Sequence, residues 1–166
     1  MQVREAVRSD AGAIADIYNH AVLTTTASFD VEPVTAEDRQ RWLAGRAPQH
    51  IVLVAEEDGA VVGWGALSPY SERRAYAATA EVSVYVGEGH RGRGIGRTLT
   101  SALIEHARLA QLHTLLARIC TENAGSIAMV AAQGFTDAGT MREVGWKFGR
   151  WLDVVTYEYH PQPRVT

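Results

Sequence analysis

Three glycines at alternate positions, Gly92, Gly94 and Gly96, stand among three arginines, Arg91, Arg93 and Arg97. Glycine lets a backbone approach a ligand with no side chain in the way. The first amides of a helix have no internal partner and carry the positive end of its dipole. A glycine turn leading from a strand into a helix is therefore a ready anion site, suited to a phosphate or pyrophosphate. Residues 79–86, rich in β-branched and aromatic types, supply the strand, and the segment from Arg93 supplies the helix. One carboxylate stands out within the strand. Glu81, Ser83 and Tyr85 share one face, and a carboxylate inside an apolar strand is costly unless it is paired or functional. A glutamate near a strand end, ion-paired to Arg73 or Arg74, is the plainer alternative.

Two familiar phosphate patterns fail here. Gly87, Gly89 and Gly92 match the spacing G-x-G-x-x-G. The dinucleotide fold also needs an acidic residue about 20 positions further on. That position falls near Leu112, with no Asp or Glu beside it. No Lys-Ser or Lys-Thr follows the glycines, so the P-loop is excluded as well. What remains is R-x-x-G-x-G, from Arg91 to Gly96.

The elements that must hold these residues can be read along the chain. Residues 2–6 form a strand. Ser9 or Asp10 can cap a helix whose buried face carries Ile14, Ile17, Tyr18, Ala21 and Val22. Residues 23–34 are a loop. Thr35 opens a second helix, with Asp38 in its first turn, and Gly45 and Pro48 end it. Asp58-Gly59 joins two apolar runs, residues 51–55 and 61–67, as a hairpin. Residues 68–78 form a polar loop ahead of the strand at 79–86. A helix over 93–112 follows, its buried face carrying Ile95, Leu99, Leu103 and Ala107. A strand over 114–119 comes next, then a helix over 123–133 closed by Gly134. Two strands, 135–144 and 150–159, flank the turn Gly145-Trp146-Lys147-Phe148-Gly149. The order βααβββαβαββ predicts an α/β protein, a mixed sheet flanked by helices, in a single domain over residues 1–166.

The bulk numbers narrow the function classes. The net charge of −3 implies no general polyanion surface, so no nucleic-acid partner is expected. The one cysteine, Cys120, excludes an internal disulfide and suits a reducing compartment, so the cytoplasm is expected. No run is long and apolar enough for a membrane span, and residues 1–10 are too polar for a signal peptide. The six histidines lack metal-ligand spacing, and no metal is expected.

The R-x-x-G-x-G run between strand and helix resembles the acetyl-CoA pyrophosphate loop of the GNAT superfamily of N-acyltransferases, whose element order is the same. Residues 17–22, 24–29, 81–86 and above all 145–154 (G-W-K-F-G-R-W-L-D-V) resemble the phosphinothricin N-acetyltransferase family and its methionine sulfone and sulfoximine branch. The resemblance runs from about Val3 to Tyr159.

It implies acetyl transfer from acetyl-CoA to the α-amine of a small amino acid analogue. Glu81 is then the catalytic carboxylate. The backbone of Val84, Tyr85 and Val86 pairs with the pantetheine arm, with the Val84 N–H as oxyanion donor. Residues Gly92, Arg93, Gly94, Ile95, Gly96 and Arg97, with Arg91, hold the pyrophosphate, and Asn123 contacts the pantetheine. A plain helix N-cap is an equally good role for Asn123. Arg73 and Arg74 would take the acceptor's carboxylate, and Phe29 and Tyr76 would wall its side chain. Phe29 could also be simple core, and paired arginines on a loop are often only solvated charge. A homodimer is implied too. The chain departs from the family in helix 4, where Val130 stands at the position of a histidine, so no general acid is identified. Two alternatives stay open: an acetyltransferase for another small amine or a protein N-terminus, and an acyl-CoA-binding module without catalysis.

Overall fold

The structure is a computed structural model and describes residues 1–162; the last four residues of the expected domain lie outside them. In chain order the elements are β1 (Gln2–Glu5), α1 (Ala11–Thr24), α2 (Ala36–Ala44), β2 (Val52–Glu57), β3 (Ala60–Pro69), β4 (Thr79–Val86), α3 (Ile95–Leu109), β5 (Thr114–Cys120), α4 (Ala124–Ala132), β6 (Thr136–Lys147) and β7 (Arg150–Tyr159). This is the order expected from the sequence. The sheet runs β1-β2-β3-β4-β5-β7-β6. Only β4 and β5 run parallel; every other neighbouring pair is antiparallel.

Each face of the sheet has its own apolar cluster. Ile14, Tyr18 and Val22 of α1 pack on Val52, Val54 and Trp64, with Trp42 and Leu43 of α2 beside them. Ile95, Leu99, Leu103 and Ala107 of α3 pack on the other face with Val130 of α4. Helix α3 lies close to the sheet because β3 carries Gly63 and Gly65 beneath it; a Cβ at Gly65 would stand 2.9 Å from a Leu103 methyl.

Local chemistry accounts for most boundaries. Thr35 and Asp38 exchange hydrogen bonds at the start of α2, 3.1 Å and 3.0 Å, as a capping box. Asp58 and Gly59 both take positive φ, 49° and 80°, as the hairpin turn requires. Three expectations are corrected. Asp10 does not cap α1: its carboxylate turns back to accept from the Val7 N–H at 2.7 Å and to pair with Arg4 at 2.8 Å. Helix α3 starts at Ile95 rather than Arg93, because Gly92 and Gly94 both take left-handed φ, 74° and 82°, which no helix continues. Strand β6 runs through Gly145 and Trp146 to Lys147, leaving only Phe148-Gly149 as the turn.

Candidate active site

The site begins where β4 and β5 separate. They pair in register only at Thr79, Ala80 and Glu81, against Thr114, Leu115 and Leu116. Beyond Glu81 the β5 side of β4 has no strand partner. The Gly87 N–H donates to the Val62 carbonyl of β3 at 2.9 Å. Alternation along the strand then turns Tyr85 towards β3, and turns the N–H and C=O groups of Val84 and Val86 towards the open gap. Main-chain groups without a strand partner can accept an extended ligand as a further strand.

Two cavities meet at this gap. One, of about 560 Å³, is lined by Val84, Tyr85 and Val86, by Arg91, Gly92, Gly94, Ile95, Gly96 and Arg97, and by Asn123. The left-handed Gly92 and Gly94 turn the loop into the first turn of α3, so the free amides of that turn face the cavity mouth. Gly96 lies under Met129: a Cβ there would stand 3.0 Å from the sulfur. This is a groove for an elongated ligand with an anionic end. Arg93 does not join it. Its guanidinium turns to Glu57 at 3.1 Å and to His90 at 3.1 Å. Arg91 donates to the Val86 carbonyl at 3.3 Å, across the turn.

The second cavity, of about 440 Å³, is lined among others by Phe29, Asp30, Glu81, Arg118 and Cys120. Val84, Tyr85, Asn123, Ser126 and Met129 line both. Asn123 caps α4, its side-chain oxygen accepting from the Ser126 N–H at 3.3 Å, and it also lines both cavities. The cap and a ligand contact are thus compatible at one residue.

Glu81 sits in the second cavity with its side chain 22% exposed, and Arg118 Nη2 donates to its Oε2 at 2.5 Å. The ion pair expected with Arg73 or Arg74 is therefore made by Arg118 instead. The carboxylate in turn raises the Arg118 guanidinium above its ordinary value. Burial pushes the Tyr85 phenol up, so it stays protonated; its hydroxyl lies 3.4 Å from the Ala27 carbonyl.

Arg73, Arg74 and Tyr76 are not brought to either cavity of this chain. They occupy a short 3₁₀ turn before β4, all three exposed. The Tyr76 ring packs on Tyr70, with centroids 5.2 Å apart, and Ser71 accepts from the Arg73 N–H. Sequence reasoning missed Arg118. The signal was there: an arginine inside the apolar run T-L-L-A-R-I-C, two positions beyond Leu116 and so on the face that meets Glu81.

Among the described residues no helix is long and apolar enough to cross a membrane. The Acetyltransferase (GNAT) domain family matches residues 3–156. An L-methionine sulfoximine/L-methionine sulfone acetyltransferase of Salmonella typhimurium is 41% identical over 155 residues, 93% of this chain and 91% of that one. A phosphinothricin N-acetyltransferase of Streptomyces coelicolor is 40% identical over 162 residues, 95% of each chain. A Salmonella typhimurium protein solved with its cofactor acetyl-CoA superposes with a TM-score of 0.96 at 38% identity, covering 99% of this chain and 96% of that one. With a sheet that splays between β4 and β5 and a glycine–arginine loop opening α3, the chain belongs to the GNAT superfamily of acetyltransferases.

Proposed function

We propose that this protein moves an acetyl group from acetyl-CoA to the α-amine of a small amino acid carrying a tetrahedral polar head, of the phosphinothricin, methionine sulfone or methionine sulfoximine type. The observation that carries the proposal is the junction of the two cavities. A groove with an anion-binding mouth meets a chamber holding the Glu81 carboxylate, ion-paired to Arg118, and Val84 lies on the border of both. The relatives named above supply the substrate class.

Acetyl-CoA brings an activated thioester; the remaining work falls to the chain. The amides of Gly92, Gly94 and Gly96, with Arg97 beside them, hold the pyrophosphate. Val84 and Val86 hold the arm through the main chain, and the Val84 N–H faces the developing oxyanion. Glu81 receives the proton of the incoming ammonium; the freed amine forms the new C–N bond as the C–S bond breaks, and the coenzyme A thiolate, whose thiol pKa is about 8.5, leaves with little need of an acid. The task of Glu81 is small: an α-amine with a pKa near 8 is about one-tenth neutral at pH 7, a deprotonation cost of about 1.4 kcal/mol. Arg118 fixes the carboxylate in place and keeps one of its oxygens occupied. Phe29 walls the acceptor chamber. The family resemblance gives the acceptor's carboxylate to Arg73, with Arg74 and Tyr76 beside it, although all three lie outside the chamber of a single chain.

The protein acts in the cytoplasm and as a homodimer. The dimer reading draws on the family and on the exposed aromatic rings at the β6–β7 end of the sheet, Trp146, Phe148 and Trp151. Thiol release from acetyl-CoA tests the activity against methionine sulfone, methionine sulfoximine, phosphinothricin, methionine and a short peptide amine. Turnover with a tetrahedral-headed amino acid is the expected result. Turnover with the peptide alone would overturn the acceptor class, and tight binding without turnover on any of them would favour a binding module.

A further inference from the structure

Strand β6 ends with an inversion of the usual pattern. Trp146 and Phe148 point outward, 56% and 50% exposed, while Lys147 between them is 4% exposed. A lysine goes inside only where it finds partners. Here they are main-chain carbonyls: Lys147 Nζ donates to Ser28 at 2.6 Å and to Thr25 at 2.9 Å. Burial pushes the ammonium below its ordinary value, and Asp30 opposes that.

Two positions earlier on the same face, Gly145 receives the ring of Phe29. A Cβ at Gly145 would stand 2.2 Å and 2.5 Å from two ring carbons. The inner face of β6 is thus shaped to residues 25–29, with an absent side chain for the ring and a long cation for the carbonyls. Those residues form a wall common to both cavities: Thr25, Thr26 and Ala27 line the groove, and Thr26 to Phe29 line the chamber. Tyr18 holds the same segment from α1, its hydroxyl 3.0 Å from Ser28 Oγ and bonded to Asp30.

We propose that Lys147 is a positioning residue, whose two bonds to Thr25 and Ser28 set the wall against which both acetyl-CoA and the acceptor are held. The role rests on the assignment of the two cavities made above. No carbonyl so placed can recover its partner from solvent without the segment moving, because the ammonium that serves it is buried.

The test is Lys147→Met, which keeps the length of the side chain and removes every donor, with Lys147→Arg as the conservative variant. For Lys147→Met, the acetyl-CoA dissociation constant by calorimetry and the acceptor KM should both rise about tenfold or more, as losing bonds from a charged donor implies. Lys147→Arg should recover part of both, since a guanidinium also serves two carbonyls. A purely structural lysine would lower the folded fraction, and with it apparent kcat, at unchanged dissociation constant and KM. A folded Lys147→Met with wild-type values of both would overturn the proposal.

If Lys147→Met does not fold, Lys147→Gln, which is shorter and neutral but keeps N–H donors, carries the test: both values should rise, and wild-type values of both would overturn the proposal. The pair Gly145→Ala and Phe29→Leu tests the ring contact that shapes the same wall. Gly145→Ala should raise acceptor KM, and the double variant should bring it back to that of Phe29→Leu alone. Simple additivity of the two would overturn the shaped contact. The acetyl-CoA measurement needs no acceptor, so it decides the role of Lys147 even if the acceptor class proposed above fails.

Discussion

Arg118 on β5 reaches across the point where β4 and β5 part and holds Glu81 at 2.5 Å. Glu81 sits at the last register of the parallel ladder, opposite Leu116, and Arg118 stands two residues further along β5, where the strands have already parted. The Glu81 carboxylate is thus anchored to closed sheet, while the main chain beyond it has no strand partner. Glu81→Gln should leave acetyl-CoA affinity unchanged and lower turnover, by roughly 10²–10⁴-fold for a lost general base. Arg118→Met should lower turnover by less, and the two losses should not add, because the arginine acts through the carboxylate. Steady-state rates of the single and double variants, with calorimetric acetyl-CoA binding, check both statements. Wild-type turnover of Glu81→Gln would remove the residue from the mechanism.

Two cations are candidates for the proposed acceptor's carboxylate. Arg118 is in the chamber but already committed to Glu81, and Arg73 is uncommitted but outside the chamber of a single chain. Arg73→Ala should raise KM for a free amino acid at least tenfold, the worth of a lost charged hydrogen bond. It should leave KM for the methyl ester of the same amino acid unchanged. If only Arg118→Ala separates acid from ester, the carboxylate site belongs to Arg118.

Gly94 takes φ 82° at the N-cap of α3, with open space where a Cβ would go. The cost of a side chain there is backbone strain, about 1–2 kcal/mol for a non-glycine residue in the left-handed region. Gly94→Ala should therefore weaken acetyl-CoA binding about tenfold through a displaced loop, with Glu81 chemistry intact at saturating acetyl-CoA. Binding by calorimetry and kcat at saturation separate the two effects.

The buried Asp10 carboxylate accepts from Arg4 at 2.8 Å and 3.0 Å and from the Val7 N–H at 2.7 Å. The Arg4 guanidinium holds its carboxyl below the usual carboxylate range. A depressed folded value means stability that is fully present above the unfolded value, near 3.9, and lost as pH falls through the lower folded one. Asp10→Asn should cost about 2 kcal/mol at pH 7. The gap between variant and wild type should close as pH falls below about 4, as urea midpoints across that range would show. An equal gap at every pH would mean that packing, not charge, holds the β1–α1 corner.

Trp146 and Trp151 stack edge to face across the β6–β7 turn, 5.0 Å between centroids, with both rings more than half exposed. Sedimentation at micromolar concentration should give a dimer, and the double change Trp146→Ser, Trp151→Ser should give a folded monomer. A wild-type monomer would remove the homodimer from the proposal.

By itself the sequence determined the element order, the α/β class, the hairpin at Asp58-Gly59, the capping box at Thr35 and the glycine turn at Gly92–Gly96. Each of these is set by residues within a few positions of one another, through φ preference, alternation or helical spacing, so local chemistry shows them. Glu81 stood out for the same reason, as a charge where its strand neighbours are apolar. Tertiary structure alone decided who meets whom. Arg118 rather than Arg73 or Arg74 pairs with Glu81, because the β4–β5 register is set by packing and not by either strand's own residues. Arg93 left the anion loop for Glu57, 36 residues away, because the loop turns its side chain towards the β2–β3 hairpin. Lys147, within the most family-specific stretch, gave no hint of its direction: alternation allows either face. Only the carbonyls of Thr25 and Ser28, more than a hundred residues distant, make the inner face the stable one.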